Sequence, residues 1–474
     1  MDFSVAVPRL VVLLAISSVL LSQASAQSAG FLSASQTQPG SSVIEEAPLV
    51  QPPGDSAAPL TVTLQDALAR AQKNNADFLA AVSDARSARE DVVQARATRL
   101  PTISGTSQYL GTQGDGKLAT GRYVTNDGVH VYREWGVLHQ DLSPGVFMGT
   151  ASSRASAAEA LAKAKAEIAL RGLAVTVTKN YDALIVAQRK YATAQQAAEE
   201  TQHFYDITQD GERAGQSAHS DVVKAEIQYE QQVQAFDEAK LAMEDARLDL
   251  AVLLFPALNE NFSVVDDLDS APALPPFTEV QTLAGKENPD LRVALAGGKE
   301  ADLDVTAART AFLPSLMVDV DYGIEANAFA LRSRTAAFPD AGVVPNLGYF
   351  VTASLNIPVW DWGTLRSKLH QAEYRREQAR VALSQTQREL LSNLYASYNE
   401  ALVARAGVDR LREIAGNAAE SLRLVNLRYT GGESPAQEVV DAQNTLITAR
   451  NAYADALARY RVALATLQTL TGSF

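Results

Sequence analysis

The chain has 474 residues, a formal net charge of −14 and no cysteine. A nucleic-acid-binding protein would carry the opposite net charge and a basic stripe, so the composition excludes that class. Without cysteine there is no disulfide framework and no thiol to carry a lipid, which leaves packing or assembly to stabilise the fold.

The first 26 residues have the pattern of a secretory signal peptide. Arg9 precedes an apolar run over residues 10–21, and an Ala-Ser-Ala cleavage site follows. We expect residues 1–26 to be removed on export. No later run of about 18 apolar residues occurs, so any part of the mature chain that enters a membrane is predicted to do so with strands. Residues 27–60, rich in Ser, Gln, Ala and Pro, are predicted to be a flexible segment.

Residues 61–267 and 268–474 are predicted to be two copies of one structural unit. Several anchor residues recur in the same order and at nearly the same spacing in the two halves. The recurring positions are Asn75 and Asn288, Pro101 and Pro314, Gly149 and Gly363, Tyr181 and Tyr395, and Gly215 and Gly432. Each copy is predicted to contain a helix, two strands and two long helices.

Four strands are predicted from alternating apolar and polar side chains. They cover residues 102–110, 131–142, 316–322 and 349–357. Residues 111–128 and 326–346, between the strands of each pair, are predicted to be long loops, which an outer-membrane protein would place outside the cell. Four strands cannot close a transmembrane barrel, so other copies of the chain must complete the sheet. Two, three or four copies would each give an even number of strands.

Two very long helices are predicted over residues 150–209 and 364–427. Both segments lack proline, and each would reach roughly 90 Å at 1.5 Å per residue. Apolar residues at three-four spacing are typical of an ordinary coiled coil. The high alanine content favours close approach on more than one side of each helix, as in a sheet or tube of helices.

The most specific motif is RYTGGESPAQEVVDAQ at residues 428–443. Together with NPDL at 288–291 and Ile357-Pro358, it resembles the TolC family of outer membrane efflux proteins, over about residues 64–472. The resemblance implies a mainly α fold with a small β part. In this fold a homotrimer forms a 12-stranded transmembrane β-barrel, which continues into a long periplasmic α-helical barrel, and each protomer is an internal duplication. It further implies a location in the outer membrane of a Gram-negative bacterium, extending into the periplasm. The implied partners are outer membrane lipid, a periplasmic adaptor protein and an inner-membrane transporter.

The resemblance also implies a gated entrance at the periplasmic end. Glu438 and Asp441, three residues apart on one helical face, would crowd carboxylates into a constriction that draws in cations. A hydrogen bond from the hydroxyl of Tyr429 to Asp221 would hold the gate closed. The residues alone also fit a simpler interpretation, in which Glu438 and Asp441 form a solvated acidic face at a helix start.

The tips of the long helices are predicted from Gly215 and Gly432, which allow tight turns and are candidate adaptor contacts. Family members often carry Arg two residues after the tip glycine, where this chain has Ser434. One contact that locks the gate is therefore expected to be absent or weaker here.

The function implied is the passive exit duct of a tripartite efflux or type I secretion system. Two alternatives are a trimeric coiled-coil surface stalk or adhesin, and a soluble periplasmic helical adaptor. The five histidines show no metal-ligand spacing, and no catalytic motif occurs. We therefore predict no enzymatic activity, no cofactor and no nucleic-acid partner.

Overall fold

The computed structural model describes residues 59–111, 130–215, 217–258, 261–270, 272–326, 329–331 and 346–472. The predicted signal peptide and nearly all of the predicted flexible segment lie outside these ranges. Most residues of the two predicted extracellular loops also lie outside them.

The described part of the first half begins with a short strand and ends with two long helices. Its elements are β1 (Leu60–Val62), α1 (Leu64–Asn74), α2 (Ala76–Ala97), β2 (Thr102–Gly111), β3 (His130–Asp141), α3 (Pro144–Phe147), α4 (Thr150–Arg213) and α5 (His219–Leu254).

The second half has the same order of elements, except that it lacks α3 and contains a 3-10 helix, Leu268–Ser270. Its other elements are β4 (Phe262–Val264), α6 (Phe277–Glu287), α7 (Pro289–Thr310), β5 (Ser315–Ala326), β6 (Leu347–Asn356), α8 (Thr364–Thr430) and α9 (Ala436–Thr471). Strands β1 and β4 were not predicted. They pair with each other in parallel. Strand β1 begins at the last residue of the segment predicted to be flexible, and β4 lies before the predicted start of the second copy.

The longest helices begin after glycines in the left-handed conformation. Gly149 precedes α4 with a φ of 65°, and Gly363 precedes α8 with a φ of 84°. The carboxylate of Asp361 accepts hydrogen bonds from the backbone N–H groups of Gly363 at 3.0 Å and Leu365 at 2.6 Å, which satisfies donors at the start of α8. With 64 and 67 residues and no proline, α4 and α8 each span roughly 100 Å.

The four long helices form a row. Helix α4 packs against α5 on one side and α9 on the other, and α8 packs against α9. The shorter α2 and α7 lie against α4, and α7 also contacts α8. Helices α5 and α8 therefore lie at the two ends of the row. Within the described ranges, none of the helices combines the length and the apolar composition needed to cross a bilayer.

The larger sheet is antiparallel with the order β2-β3-β5-β6. Its register places Val320 opposite Leu138 and Val351, and Asp319 opposite His139, which confirms the alternation predicted for β5. On the polar face, Nδ1 of His139 lies 2.5 Å from Oδ1 of Asp319. Strands β2 and β6 each have a hydrogen-bonded neighbour on one side only within the described residues.

The main hydrophobic core surrounds Tyr181 on α4, where α5, α8 and α9 meet α1, β1 and β4. Tyr181 is fully buried, and burial raises its pKa to about 12. Its hydroxyl lies 2.9 Å from the carbonyl oxygen of Val265 and 3.2 Å from that of Val62, and it accepts a hydrogen bond from the N–H of Val265. This side chain thus fixes the segments at β1 and β4 to the long helix.

A buried charge lies next to Tyr181. Asp182 has no exposed surface, and neither carboxylate oxygen has a hydrogen-bond partner. Its Oδ1 lies 3.5 Å from Nε of Arg461 on α9, while Nη1 of Arg461 lies 2.6 Å from Asp267. Burial raises the pKa of Asp182 to about 7. The positive charge of Arg461 lowers this pKa by less than burial raises it, and the negative charge of Asp267 raises it further.

Candidate functional site

Two tight turns join the long helices at one end of the row. The first-half turn runs from Arg213 to His219 and contains Gly215 with a φ of 71°. The second-half turn runs from Thr430 to Ala436 and contains Gly432 with a φ of 75°. A Cβ added at either glycine would meet no heavy atom within 4 Å, so the backbone conformation, rather than space, requires glycine.

Gly432→Ala is expected to lower the free energy of unfolding by about 1 kcal/mol, because an L side chain at this left-handed φ is strained. Gly431→Ala is the matched control, since Gly431 has a φ of −78° at the end of α8 and alanine fits there. Thermal unfolding of the two variants in detergent measures the difference. Equal midpoints would contradict the conformational role of Gly432.

The carboxylate of Glu438 is bound within its own chain. It accepts a hydrogen bond from the hydroxyl of Ser434 at 2.5 Å, and Oε2 lies 3.2 Å from Nη1 of Arg428. Ser434 is buried, so its hydroxyl holds this carboxylate from inside the turn. The structure therefore places Ser434 against Glu438, a contact that the sequence analysis did not predict.

Asp441 lies one turn after Glu438 on α9 and is exposed. Its Oδ1 accepts a hydrogen bond from the side-chain amide of Gln437 at 2.9 Å. In the part of the chain that the structure describes, Asp441 has no ion pair. The two carboxylates share a helical face but differ in partner, since Glu438 faces a guanidinium and Asp441 an uncharged amide.

Tyr429 and Asp221 form no hydrogen bond with each other among the described residues. The ring of Tyr429 packs instead against Phe204 of α4, with centroids 5.2 Å apart. It borders a small buried cluster that links all four long helices near the turns, built from Phe204, Ala225, Ala436 and Val439. Asp221 lies in the first turn of α5, where a negative charge favours the helix start.

The roles of two residues in this region were not predicted from the sequence. Arg428 could have been found, because it precedes the turn and Glu438 follows it, so a hairpin brings the opposite charges together. Phe204 could not, since it belongs to the other half of the chain and no local pattern points to Tyr429.

Farther from the turns, the four long helices border an open cavity of about 1070 Å³. Alanine is the most frequent residue of its lining, and two ion pairs lie at its surface. Nζ of Lys190 lies 2.8 Å from Asp455, and Nε of Arg459 lies 2.7 Å from Glu400. Among the residues that the structure describes, no group of three or more His, Asp or Glu could hold a metal ion.

The model of the family described as outer membrane efflux protein matches residues 67–254 and 281–473. A pyoverdine export outer membrane protein, OpmQ of Pseudomonas putida, is 29% identical over 39% of this chain and 37% of that protein. OpmQ of Pseudomonas aeruginosa is 23% identical over 87% of this chain and 85% of that protein. Outer membrane protein TolC of Escherichia coli is 23% identical over 40% of this chain and 39% of that protein. The alignments with the P. putida and E. coli proteins thus span well under half of those relatives.

Solved structures show the same fold. The Campylobacter jejuni CmeC outer membrane channel superposes with a TM-score of 0.72 at 18% identity, covering 86% of this chain and 85% of that one. The open state of the Neisseria gonorrhoeae MtrE outer membrane channel gives 0.71 at 23% identity, covering 86% of this chain and 89% of that one. The family match covers most of both halves, and the fold is that of these channels. The chain belongs to the outer membrane efflux protein family.

Proposed function

We propose that this chain is the passive, outer-membrane exit duct of a tripartite efflux or type I secretion system. It acts as a homotrimer whose gate lies at the periplasmic end. Its partners are outer membrane lipid, a periplasmic adaptor protein and an inner-membrane transporter, which supplies the energy. The turns between the long helices, with the exposed Gly215 and Gly432, are the proposed adaptor contact, and the buried Ser434 shapes the second of these turns from inside.

One observation carries this proposal: in the part of the chain that the structure describes, both the larger sheet and the row of long helices have two outer edges without a neighbour. The sheet has β2 and β6 at its edges, and the row of long helices has α5 and α8 at its ends. Exposed large apolar side chains lie along both end helices, among them Ile227, Leu241 and Val252 on α5 and Val381, Leu402 and Leu424 on α8. Apolar surface and unpaired strand edges of this kind favour association with further copies. Copies joined edge to edge would continue both layers around a common axis.

The gate is proposed at the start of α9, directly after the second-half turn, where Glu438 and Asp441 lie. In an assembly around an axis, the carboxylates of each copy would face one another across the opening and attract cations. Opening would separate the aromatic contact between Tyr429 and Phe204, which joins α8 to α4. The bond between Tyr429 and Asp221 stays a proposal for a closed assembly.

The test is single-channel recording of the mature protein in planar bilayers, with hexaamminecobalt added on the periplasmic side. The wild type is expected to give discrete conductance steps that this trivalent cation blocks. Replacing both Glu438 and Asp441 with alanine is expected to abolish the block, because the entrance then loses its negative charge.

The control is Glu413→Ala, which removes an exposed carboxylate of α8 several turns from the tip. It is expected to leave the block unchanged. Unchanged block in the double variant would place the constriction elsewhere. Folded wild-type protein without conductance steps would favour the stalk or the soluble adaptor over a duct.

A further inference from the structure

Arg428 connects the two sides of the second-half turn. It lies in the last turn of α8, and its Nη1 is 3.2 Å from Oε2 of Glu438 in the first turn of α9. Its Nη2 lies 3.5 Å from the carbonyl oxygen of Glu433 within the turn. The backbone N–H of Glu433 in turn donates to the carbonyl oxygen of Arg428 at 2.8 Å. The guanidinium is thus directed across the turn towards the acidic start of α9.

The hydroxyl of Ser434 holds the same carboxylate oxygen. Because Ser434 is buried and lies one turn before Glu438, it restricts where that carboxylate can lie. A serine brings no charge, so the positive charge beside Glu438 comes from Arg428, before the turn. Both members of the Arg428–Glu438 ion pair belong to the same chain.

This ion pair changes the charge that each copy brings to the entrance. Among Arg428, Glu438 and Asp441, the two carboxylates contribute two negative charges and the guanidinium reduces their sum to one. The side chains of Arg428 and Glu438 are 51% and 43% exposed, so water screens their attraction and the pair adds little to stability. Its main physical effect is therefore on the local potential, which depends on the sum of nearby charges.

We propose that Arg428 sets the ion selectivity of the periplasmic entrance, by neutralising Glu438 and leaving Asp441 as the one unpaired carboxylate of the two on this face of α9. The inference rests on the proposed function, since it assigns a role at that same entrance. The difference between the electrostatic barriers that cations and anions cross at the entrance is therefore smaller than it would be with two unpaired carboxylates per copy.

The experiment is the reversal potential of wild-type and variant channels in a potassium chloride gradient, together with the affinity of block by hexaamminecobalt. Arg428→Gln is expected to increase the preference for potassium over chloride and to tighten the block about tenfold or more, because each copy gains one net negative charge. Arg428→Lys keeps the charge and is expected to behave as the wild type.

Two further variants control for structural damage. Glu438→Gln removes a negative charge from the same pair and is expected to shift both quantities in the opposite direction. Arg423→Gln removes an exposed guanidinium of α8 that pairs with Glu420, away from the turn, and is expected to shift neither. A structural disturbance at the turn would not produce shifts of opposite sign from the two partners.

Channels of normal conductance whose selectivity and block are the same in Arg428→Gln and the wild type would overturn the role of Arg428 while leaving the duct intact. Equal shifts in Arg423→Gln would also overturn it. A folded wild-type protein that forms no channels would instead overturn the proposed function, and the role of Arg428 with it.

Discussion

Arg461→Met is expected to lower the free energy of unfolding at pH 8 by about 3–5 kcal/mol, the cost typical of breaking a buried ion pair by removing one partner. Methionine fills a similar volume but leaves the fully buried carboxylate of Asp182 without a cation. It also removes the 2.6 Å contact to Asp267, which fixes the segment after β4 to α9. Chemical or thermal unfolding in detergent measures the loss.

Arg459→Met is the matched control, since Arg459 is two residues away on the same helix and pairs with Glu400 in an exposed position. We expect a loss of at most about 1 kcal/mol there. Adding Asp182→Asn to Arg461→Met should recover part of the lost stability, because it removes the unpaired buried charge. Similar losses in the two single arginine variants would contradict a special role for the buried pair.

Asp182→Asn by itself is expected to leave stability near pH 4 unchanged and to raise it at pH 8 by an amount on the order of a few kcal/mol. The folded-state pKa of Asp182, about 7, lies above the ordinary value of 3.8. Between these values the folded chain keeps a proton that the unfolded chain has released. The stability that protonated Asp182 supports is therefore present below about pH 4 and lost as pH rises to 7. Asparagine is uncharged at every pH in this range, so the variant loses none of this stability as pH rises.

The measurement is the unfolding midpoint of wild type and variant at a series of pH values from 4 to 8. The two curves should coincide at the acid end and diverge with rising pH. Asp455→Asn, which changes an exposed partner of Lys190, should show no such divergence. Parallel curves for wild type and Asp182→Asn would mean that Arg461 keeps the carboxylate ionised throughout this range.

Periodic patterns in the sequence predicted the long elements well, because their signals are local. Alternation placed Val320 and Asp319 on opposite faces of β5, and the register agrees. The absence of proline predicted α4 and α8 to within a few residues of their ends.

Contacts between distant segments could not be predicted in this way. Strands β1 and β4 have three residues each, too few for any periodicity, and they pair across some two hundred positions. Asp182 and Arg461 each lie inside a helix rich in other charges, so nothing in the local sequence marks them as buried partners. Burial of a charge depends on which helices become neighbours, and the sequence does not give that order directly.

At the candidate site, spacing alone predicted the shared face of Glu438 and Asp441. The partner of Glu438 was not predicted, although Arg428 and Glu438 lie on either side of the same turn and a hairpin brings them together. The bond between Tyr429 and Asp221 rested on family resemblance only. In the structure of one chain, the ring of Tyr429 packs against Phe204, which belongs to the other half.

The two edges of the larger sheet have a consequence for handling the protein. Among the described residues, the outer edges of strands β2 and β6 have no strand partner in one chain, and such edges can pair with an edge strand of another chain. During refolding, assembly of the proposed oligomer would therefore compete with edge-to-edge aggregation, which increases as protein concentration rises. In the proposed oligomer, binding between copies would add to the stability of each copy, so the apparent unfolding temperature would depend on protein concentration. Variants can be ranked by melting temperature only when they are compared at one protein concentration.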